Sequence, residues 1–229
     1  MVLPSGESAQ LSMSAGDVVR GIDDNGCWIL LLSLGDIPSY RALLDECLTS
    51  VEGTLAGREG GLTFRSMNVV LSSPNAVVPV HFDLHHNLLL QIDGAKEVTI
   101  GSFSDSKVEV REVDRFFDGG TNNVRALPDV VTSFQLGPGD GVYIPPYAMH
   151  WIRVGAQSSV GVSLGIQTAT STRTRLAHVC NAKLRRRGLR PAPAGRSVNR
   201  DIAKVVALRQ ASRMWRTLRP IVTRVKHTA

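Results

Sequence analysis

The chain has 229 residues, a length that suits one domain plus an appendage, and its 43% hydrophobic and 20% charged content excludes wholesale disorder. Its formal charge of +6 averages two unlike parts: residues 1–170 carry ten basic and 19 acidic side chains, net −9, whereas residues 171–229 carry sixteen basic and one acidic, Asp201, net +15. No run approaches the roughly 18 apolar residues of a membrane span, and no secretory signal precedes Arg20. Cys27, Cys47 and Cys180 are odd in number, scattered and without CxxC spacing, so neither a disulfide framework nor a zinc site is expected. Free thiols in a reducing cytoplasm are the expectation.

Residues 1–26 are rich in Ser, Gly and Asp and read as a polar lead-in, followed by an apolar run of strand length at 27–33. Asp36-Ile37-Pro38-Ser39 offers a helix start, with Pro near the first turn. Tyr40, Leu43, Leu44, Cys47, Leu48 and Val51 then recur at three-and-four spacing, which predicts an amphipathic helix to about residue 52. Four glycines within 53–61 are expected to break it.

From Leu62 the texture changes to short apolar runs between turn residues. Segments 64–71, Val77–Phe82, 87–92, 97–100, 107–112, Val130–Leu136, Gly141–Ile144, 150–154 and 159–167 read as strands. Asp93-Gly94 and Gly137-Pro138-Gly139-Asp140-Gly141 are turn signals between them. Many short strands without intervening helices predict a mainly β sandwich, jelly roll or barrel. Helical patterns return at 172–187 and 198–218, separated by a Pro- and Gly-containing stretch. In the second, Ile202, Val205, Val206, Met214, Trp215 and Leu218 mark a broad apolar face.

The segment 79–96 carries the chemistry. On a strand, His81 and Asp83 face the same way, placing an imidazole and a carboxylate side by side. A third donor, His150, is expected from a distant strand, delivered by the Gly/Asp turn and the Pro145-Pro146 corner. Two histidines and a carboxylate on one face of a metal leave open positions, the arrangement of non-haem Fe(II) oxygenases. By the same alternation His85 shares the inward face, and His86 points outward as a solvated or packing residue.

These residues, with Asn87, Gln91-Ile92-Asp93-Gly94-Ala95-Lys96 and the Pro138-Gly139-Asp140…Ile144-Pro145-Pro146 turn, resemble the jumonji-C/cupin-like Fe(II)/2-oxoglutarate oxygenases, notably their asparaginyl-hydroxylase type. The likeness covers about 62–168. With Gly188-Leu189-Arg190-Pro191 the pattern is also similar to small bacterial cupin-like proteins. The resemblance implies a double-stranded β-helix (jelly roll/cupin) at 62–170, preceded by a lead-in strand and helix at 1–61 and followed by a basic helical extension at 171–229. It implies Fe(II) on His81, Asp83 and His150, 2-oxoglutarate as co-substrate with O₂, and Lys96 neutralising the distal carboxylate of 2-oxoglutarate. Asn87 and Ser163 are implied as further contacts to the co-substrate. One departure stands out: Val78 occupies a position where the resembling hydroxylase has Thr. Ser72, Ser73 and Tyr143 are the candidates to replace its hydrogen bond.

The implied activity is hydroxylation of an amino-acid side chain, at its β-carbon, in a peptide or protein. A ribosomally synthesised natural-product precursor peptide is one such substrate. The sixteen cationic residues from Arg173 to Lys226 read as amphipathic helices that form a homodimer, the role such extensions have in the resembling enzymes. The alternative is a non-enzymatic cupin-like transcriptional regulator that binds DNA through these helices.

Overall fold

The computed structural model describes residues 14–225, with side chains described through Ala211 apart from Ser50 and Ala56. Residues 1–13 of the expected lead-in, the Met214, Trp215 and Leu218 side chains and Lys226 of the basic tail lie outside the described residues. The rest of the lead-in holds a short helix, α1 (Ala15–Arg20), capped by the Ser14 hydroxyl, which accepts from the Asp17 amide at 3.2 Å. β1 (Trp28–Leu31) and a 3₁₀ turn (Leu34–Asp36) lead into α2 (Pro38–Glu59).

α2 does not break at Gly53. It continues through Gly53 and Gly57 and stops before Gly60, whose φ of +76° ends the helical path. The reason is tertiary: Leu44 and Leu48 are buried against Met67, Leu164 and Ile166, and Leu55, beyond Gly53, packs on the same cluster. That burial outweighs a helix penalty of about 1 kcal/mol per glycine.

The β region is β2 (Leu62–Ser72), β3 (Val77–Phe82), β4 (His86–Asp93), β5 (Lys96–Ser102), β6 (Val130–Leu136), β7 (Gly141–Ile144), β8 (Met149–Val154) and β9 (Ser159–Thr168). All pairings are antiparallel, in a five-stranded sheet β1-β2-β9-β4-β7 and a four-stranded sheet β3-β8-β5-β6. Leu89, Val142 and Ile144 of the first sheet meet Val98, Leu136 and Ile152 of the second, so the inner faces enclose one apolar interior. This is the jelly-roll, cupin-type fold expected. α2 covers the outer face of the five-stranded sheet.

The segment 107–112 is not a strand but part of α3 (Ser106–Phe117), capped by Asp105, whose carboxylate accepts from the Lys107 amide at 2.9 Å. Alternation within 107–112 imitates a strand, but Val113, Phe116 and Phe117 extend the apolar pattern at helical spacing. Val113, Phe116 and Phe117 pack with Phe82 and Met149, so α3 covers the outer face of the four-stranded sheet.

The described residues divide into two compact units, with the boundary between Ser171 and Thr172. The second holds most of α4 (Ala169–Arg185) and all of α5 (Val198–Val225). Its one acid, Asp201, is buried: Oδ2 accepts from the Gly195 amide at 2.8 Å, and Lys204 lies 3.6 Å from Oδ1 while donating to the Ala192 carbonyl at 2.7 Å. Of the expected apolar face of α5, Val205 is buried whereas Ile202 and Val206 are exposed. No described helix is long and apolar enough to cross a membrane.

A Cβ added at Gly53 or Gly57 meets nothing within 4 Å. Gly53→Ala and Gly57→Ala are therefore expected to stabilise the chain by about 0.5–1 kcal/mol each in urea unfolding. A helix that ended at residue 52 would give no such gain.

Candidate metal centre

The site begins with a register irregularity. β3 and β8 pair with His81 opposite His150 and Val78 opposite Ile152, three steps on one strand against two on the other. This is a β-bulge, and Pro79 lies within it, where a missing N–H is tolerated. Without the extra residue Val78 and His81 would face opposite sides of the sheet. With it, Val78 packs on the interior cluster and the His81 ring lies 4.2 Å from the His150 ring, centroid to centroid.

Each imidazole is anchored by a carbonyl two residues earlier. His81 Nδ1 donates to Pro79 O and His150 Nδ1 to Ala148 O, both at 2.9 Å. Nδ1 therefore carries a hydrogen on each ring, and Nε2 is the atom left to face the donor group. His150 is 2% exposed, and burial, reinforced by His81, pushes it down to about 4. It is neutral at physiological pH, the state in which imidazole binds metals.

Asp83 does not reach the site by strand alternation, because β3 ends at Phe82 and Asp83 opens the turn into β4. The turn is held at both ends of the residue. The Tyr147 amide donates to the Asp83 carbonyl at 2.7 Å, with Tyr147 itself at φ 65°, a left-handed conformation unusual for a bulky side chain. Asn87 Nδ2 donates to Asp83 Oδ2 at 2.9 Å, and Ser163 Oγ donates to Asn87 Oδ1 at 2.9 Å. Burial pushes the Asp83 carboxyl up, but His150, His81 and the Asn87 amide outweigh it and hold it below the usual carboxylate range. One donor atom from each of His81, Asp83 and His150 then lies within 4.8 Å of the others, with Asp83 Oδ2 and His150 Nε2 3.9 Å apart. The Asp83 carboxylate, the neutral imidazole of His150 and the imidazole of His81 converge as a group that could hold a metal ion.

Lys96 lies on the inner face of β5, two and four residues before Val98 and Ile100, and is 1% exposed. Burial pushes its ammonium down to about 8, and among the described residues its side chain has no hydrogen bond or ion pair. Its space comes from Gly161 on β9, where an added Cβ would stand 3.1 Å from Lys96 Nζ and 3.6 Å from Gln91 Oε1. Gln91 Oε1 and Ser72 Oγ are themselves buried without a partner.

Of the residues considered as replacements at Val78, only Ser72 retains a free hydroxyl in the interior. Ser73 Oγ accepts from the Cys27 amide at 2.9 Å. Tyr143 belongs to the outer layer, bonded to His86 Nδ1 at 2.6 Å. His86 does point away from the interior as expected, but it is not solvated: it is buried under α2, with Nε2 2.9 Å from Glu59 Oε2. His85 lies against β9, where a Cβ on Gly165 would come within 2.9 Å of its ring.

Sequence reasoning missed the support for His81. Residues 122–124 act as an added strand on β3: the Phe82 amide donates to Asn122 O (3.2 Å), Val124 to Val80 O (3.0 Å), and Asn123 bridges His81. Arg115 donates to Asn123 O and, through Nε and Nη2, to Glu112 Oε2 at 3.1 and 2.9 Å. α3 thereby clamps the segment that flanks the first histidine. Nothing in an i,i+3 Glu–Arg pair on a helix distinguishes this role from an ordinary surface pair.

No curated protein matches the chain. Among solved structures, a hydroquinone 1,2-dioxygenase from Sphingomonas sp. TTNP3 with 4-hydroxybenzoate bound is 18% identical over 47% of this chain and 62% of that one, at a TM-score of 0.36. An oxalate oxidase in complex with the substrate analogue glycolate is 15% identical over 71% of this chain and 59% of that one, at 0.38. A cupin superfamily protein from Desulfitobacterium hafniense DCB-2 is 13% identical over 48% and 80%, at 0.30. The chain spans about three fifths of the length of the first two. A family model described as JmjC domain matches residues 60–174, half of the chain, and the protein belongs to that family.

Proposed function

We propose that the protein is an Fe(II)- and 2-oxoglutarate-dependent oxygenase that hydroxylates an amino-acid side chain in a peptide or protein. The observation that carries this reading is the coexistence, in one β interior, of the His81/Asp83/His150 group and a buried ammonium, Lys96, without a partner. Displacing a lysine from its ordinary 10.5 to about 8 corresponds to roughly 3 kcal/mol of desolvation, which a bound anion offsets. Gln91 Oε1 and Ser72 Oγ supply further unused polar atoms near the lysine end of the interior.

In this reading His81, Asp83 and His150 hold Fe(II), and Lys96 holds the distal carboxylate of 2-oxoglutarate. The bound metal supplies activation of O₂, coupled to conversion of 2-oxoglutarate to succinate and CO₂ with one oxygen atom passed to the substrate C–H. The chain's own contribution is positional. The Pro79 and Ala148 carbonyls fix both imidazole tautomers, Asn87 and Ser163 fix the carboxylate, and the apolar cluster around Val98 and Ile152 keeps water from the interior. Asn87 and Ser163 act first on Asp83; contact with the co-substrate is a second use that the remaining Asn87 N–H allows.

Three measurements test this. Succinate release with a substrate-peptide pool, Fe(II) and 2-oxoglutarate is expected for the wild type and lost in Asp83→Ala and His150→Ala; unchanged turnover in either variant would end the assignment. Co(II) titration followed by absorption is expected to show Asn87→Ala binding about 10–100-fold more weakly than wild type, the usual effect of removing support from a metal ligand. Lys96→Met is expected to weaken 2-oxoglutarate binding at least about tenfold with Co(II) binding intact. The wild-type affinity should be flat below pH 8 and fall above it by up to about tenfold per unit, because the depressed ammonium of free Lys96 is lost as pH rises through about 8. Lys96→Met should abolish that slope.

A further inference from the structure

A groove of about 500 Å³ opens between β5, β6 and the turn before β8. Two residues of its wall touch the site already described. Ile100 stands opposite His150 in the β5–β8 ladder, and Ala148 supplies the carbonyl that holds the His150 ring. Lys96 lies at the other end of β5, about 13 Å along the strand from Ile100. The groove therefore approaches the His/Asp/His group from the side away from the lysine, leaving that end to the co-substrate. Most of its wall is apolar, with Val130 and Phe134 of β6 exposed to it along with Pro145 and Pro146.

One ionisable side chain enters this wall: Glu109, from the first turns of α3. It is half-buried, and burial pushes its carboxyl up. Among the described residues no hydrogen bond or ion pair satisfies it. Its helix neighbour Glu112 makes the contrast, taking two bonds from Arg115 and one from the Arg125 amide at 3.3 Å. Fold stability gains nothing from a carboxylate set among apolar groups without a partner. A ligand that brought a cation would provide that partner, by a charge-assisted hydrogen bond in partly desolvated surroundings.

We propose that this groove binds the substrate through a basic side chain, its aliphatic stem on Ile100, Val130 and Phe134 and its cationic end on Glu109. Phe134 adds a ring face on which such a cation can rest. Treating the ligand as substrate rests on the oxygenase reading; the binding itself does not.

The test is calorimetric titration of the full chain, with and without Mn(II) and 2-oxoglutarate, using acetylated and amidated pentapeptides Gly-Ser-X-Ser-Gly. X is arginine, lysine, or their uncharged counterparts citrulline and norleucine. The cationic peptides are expected to bind at least about tenfold tighter than the neutral ones, the size of one charge-assisted bond. Glu109→Gln, with an unchanged circular dichroism spectrum, should bring the four within about twofold of one another. Glu109→Lys should transfer the preference to a peptide with X as glutamate. Equal binding of arginine and citrulline peptides, a preference that survives in Glu109→Gln, or no binding of any peptide overturns the proposal. Because no turnover is needed, selective binding without succinate formation would sink the oxygenase reading and leave the groove assignment standing. Succinate formation with no cationic preference would do the reverse.

Discussion

The pairing of His81 with His150 across β3 and β8 is the constraint from which the rest of the site follows. Residues opposite each other in an antiparallel ladder have Cβ atoms about 5 Å apart, so once the register is set the two imidazoles must share one small volume. The bulge at Pro79 sets that register, because it returns His81 to the inner face after Val78 has filled the apolar interior. Both rings then find a carbonyl two residues back in the chain, which sets the hydrogen on Nδ1 before any ligand arrives. The third donor cannot come from the same strand, since the chain must turn after Phe82 to begin β4. Asp83 is therefore fixed by contacts from three separate places: Tyr147 ahead of β8, Asn87 on β4 and, through it, Ser163 on β9.

The two outer helices matter for the same reason. α3 has no residue in the donor group, yet its Glu112–Arg115 pair secures residues 122–124 along the free edge of β3. An edge strand left open would be free to slip, and a one-residue slip would turn His81 outward. α2 acts on the opposite sheet, where Glu59 near its end meets both His86 and the Thr168 hydroxyl, at 2.9 and 2.8 Å. Layers that look like simple cover for apolar faces thus also hold the register of strands β3, β4 and β9.

Much of this was legible in the sequence, and the failures have specific causes. Gly141–Ile144 is readable because it alternates between an exposed and a buried face, and Val77–Phe82 because β-branched residues run up to a turn even though the bulge at Pro79 interrupts its alternation. The segment 107–112 misleads because six residues of alternation cannot be told from a helix until Val113 and Phe116 are included. Gly53 and Gly57 mislead because their cost is local and the burial that overrides it comes from strands far along the chain. His81, Asp83 and His150 come together as expected, but Asp83 does so by a turn and not by alternation. Tyr143 looked available because strand position alone cannot say which sheet face is interior; its bond to His86 under α2 decides that. The Arg115 clamp left no trace, since its acceptor is the backbone of Asn123, and a backbone carbonyl has no sequence signature.

Charge gives the interior a direction. With a divalent ion bound, the two ligating imidazoles are uncharged and the Asp83 carboxylate contributes −1, which leaves +1 at the centre. Lys96, ionised below about 8, adds another positive charge farther along β5. The interior so loaded carries +2 in surroundings too apolar to screen it, inside a unit whose overall charge is −9. A dicarboxylate of charge −2 neutralises both centres at once only if it spans them, with one end at the donor group and the other at Lys96. A monoanion would leave one of the two uncompensated, and a neutral molecule both. The groove on the far side bears the opposite sign, from Glu109. Under the proposed occupancy the two approaches to the histidines therefore favour ligands of opposite charge. That separation keeps a cationic substrate out of the lysine end without any gate, and keeps the dicarboxylate from lodging in the groove.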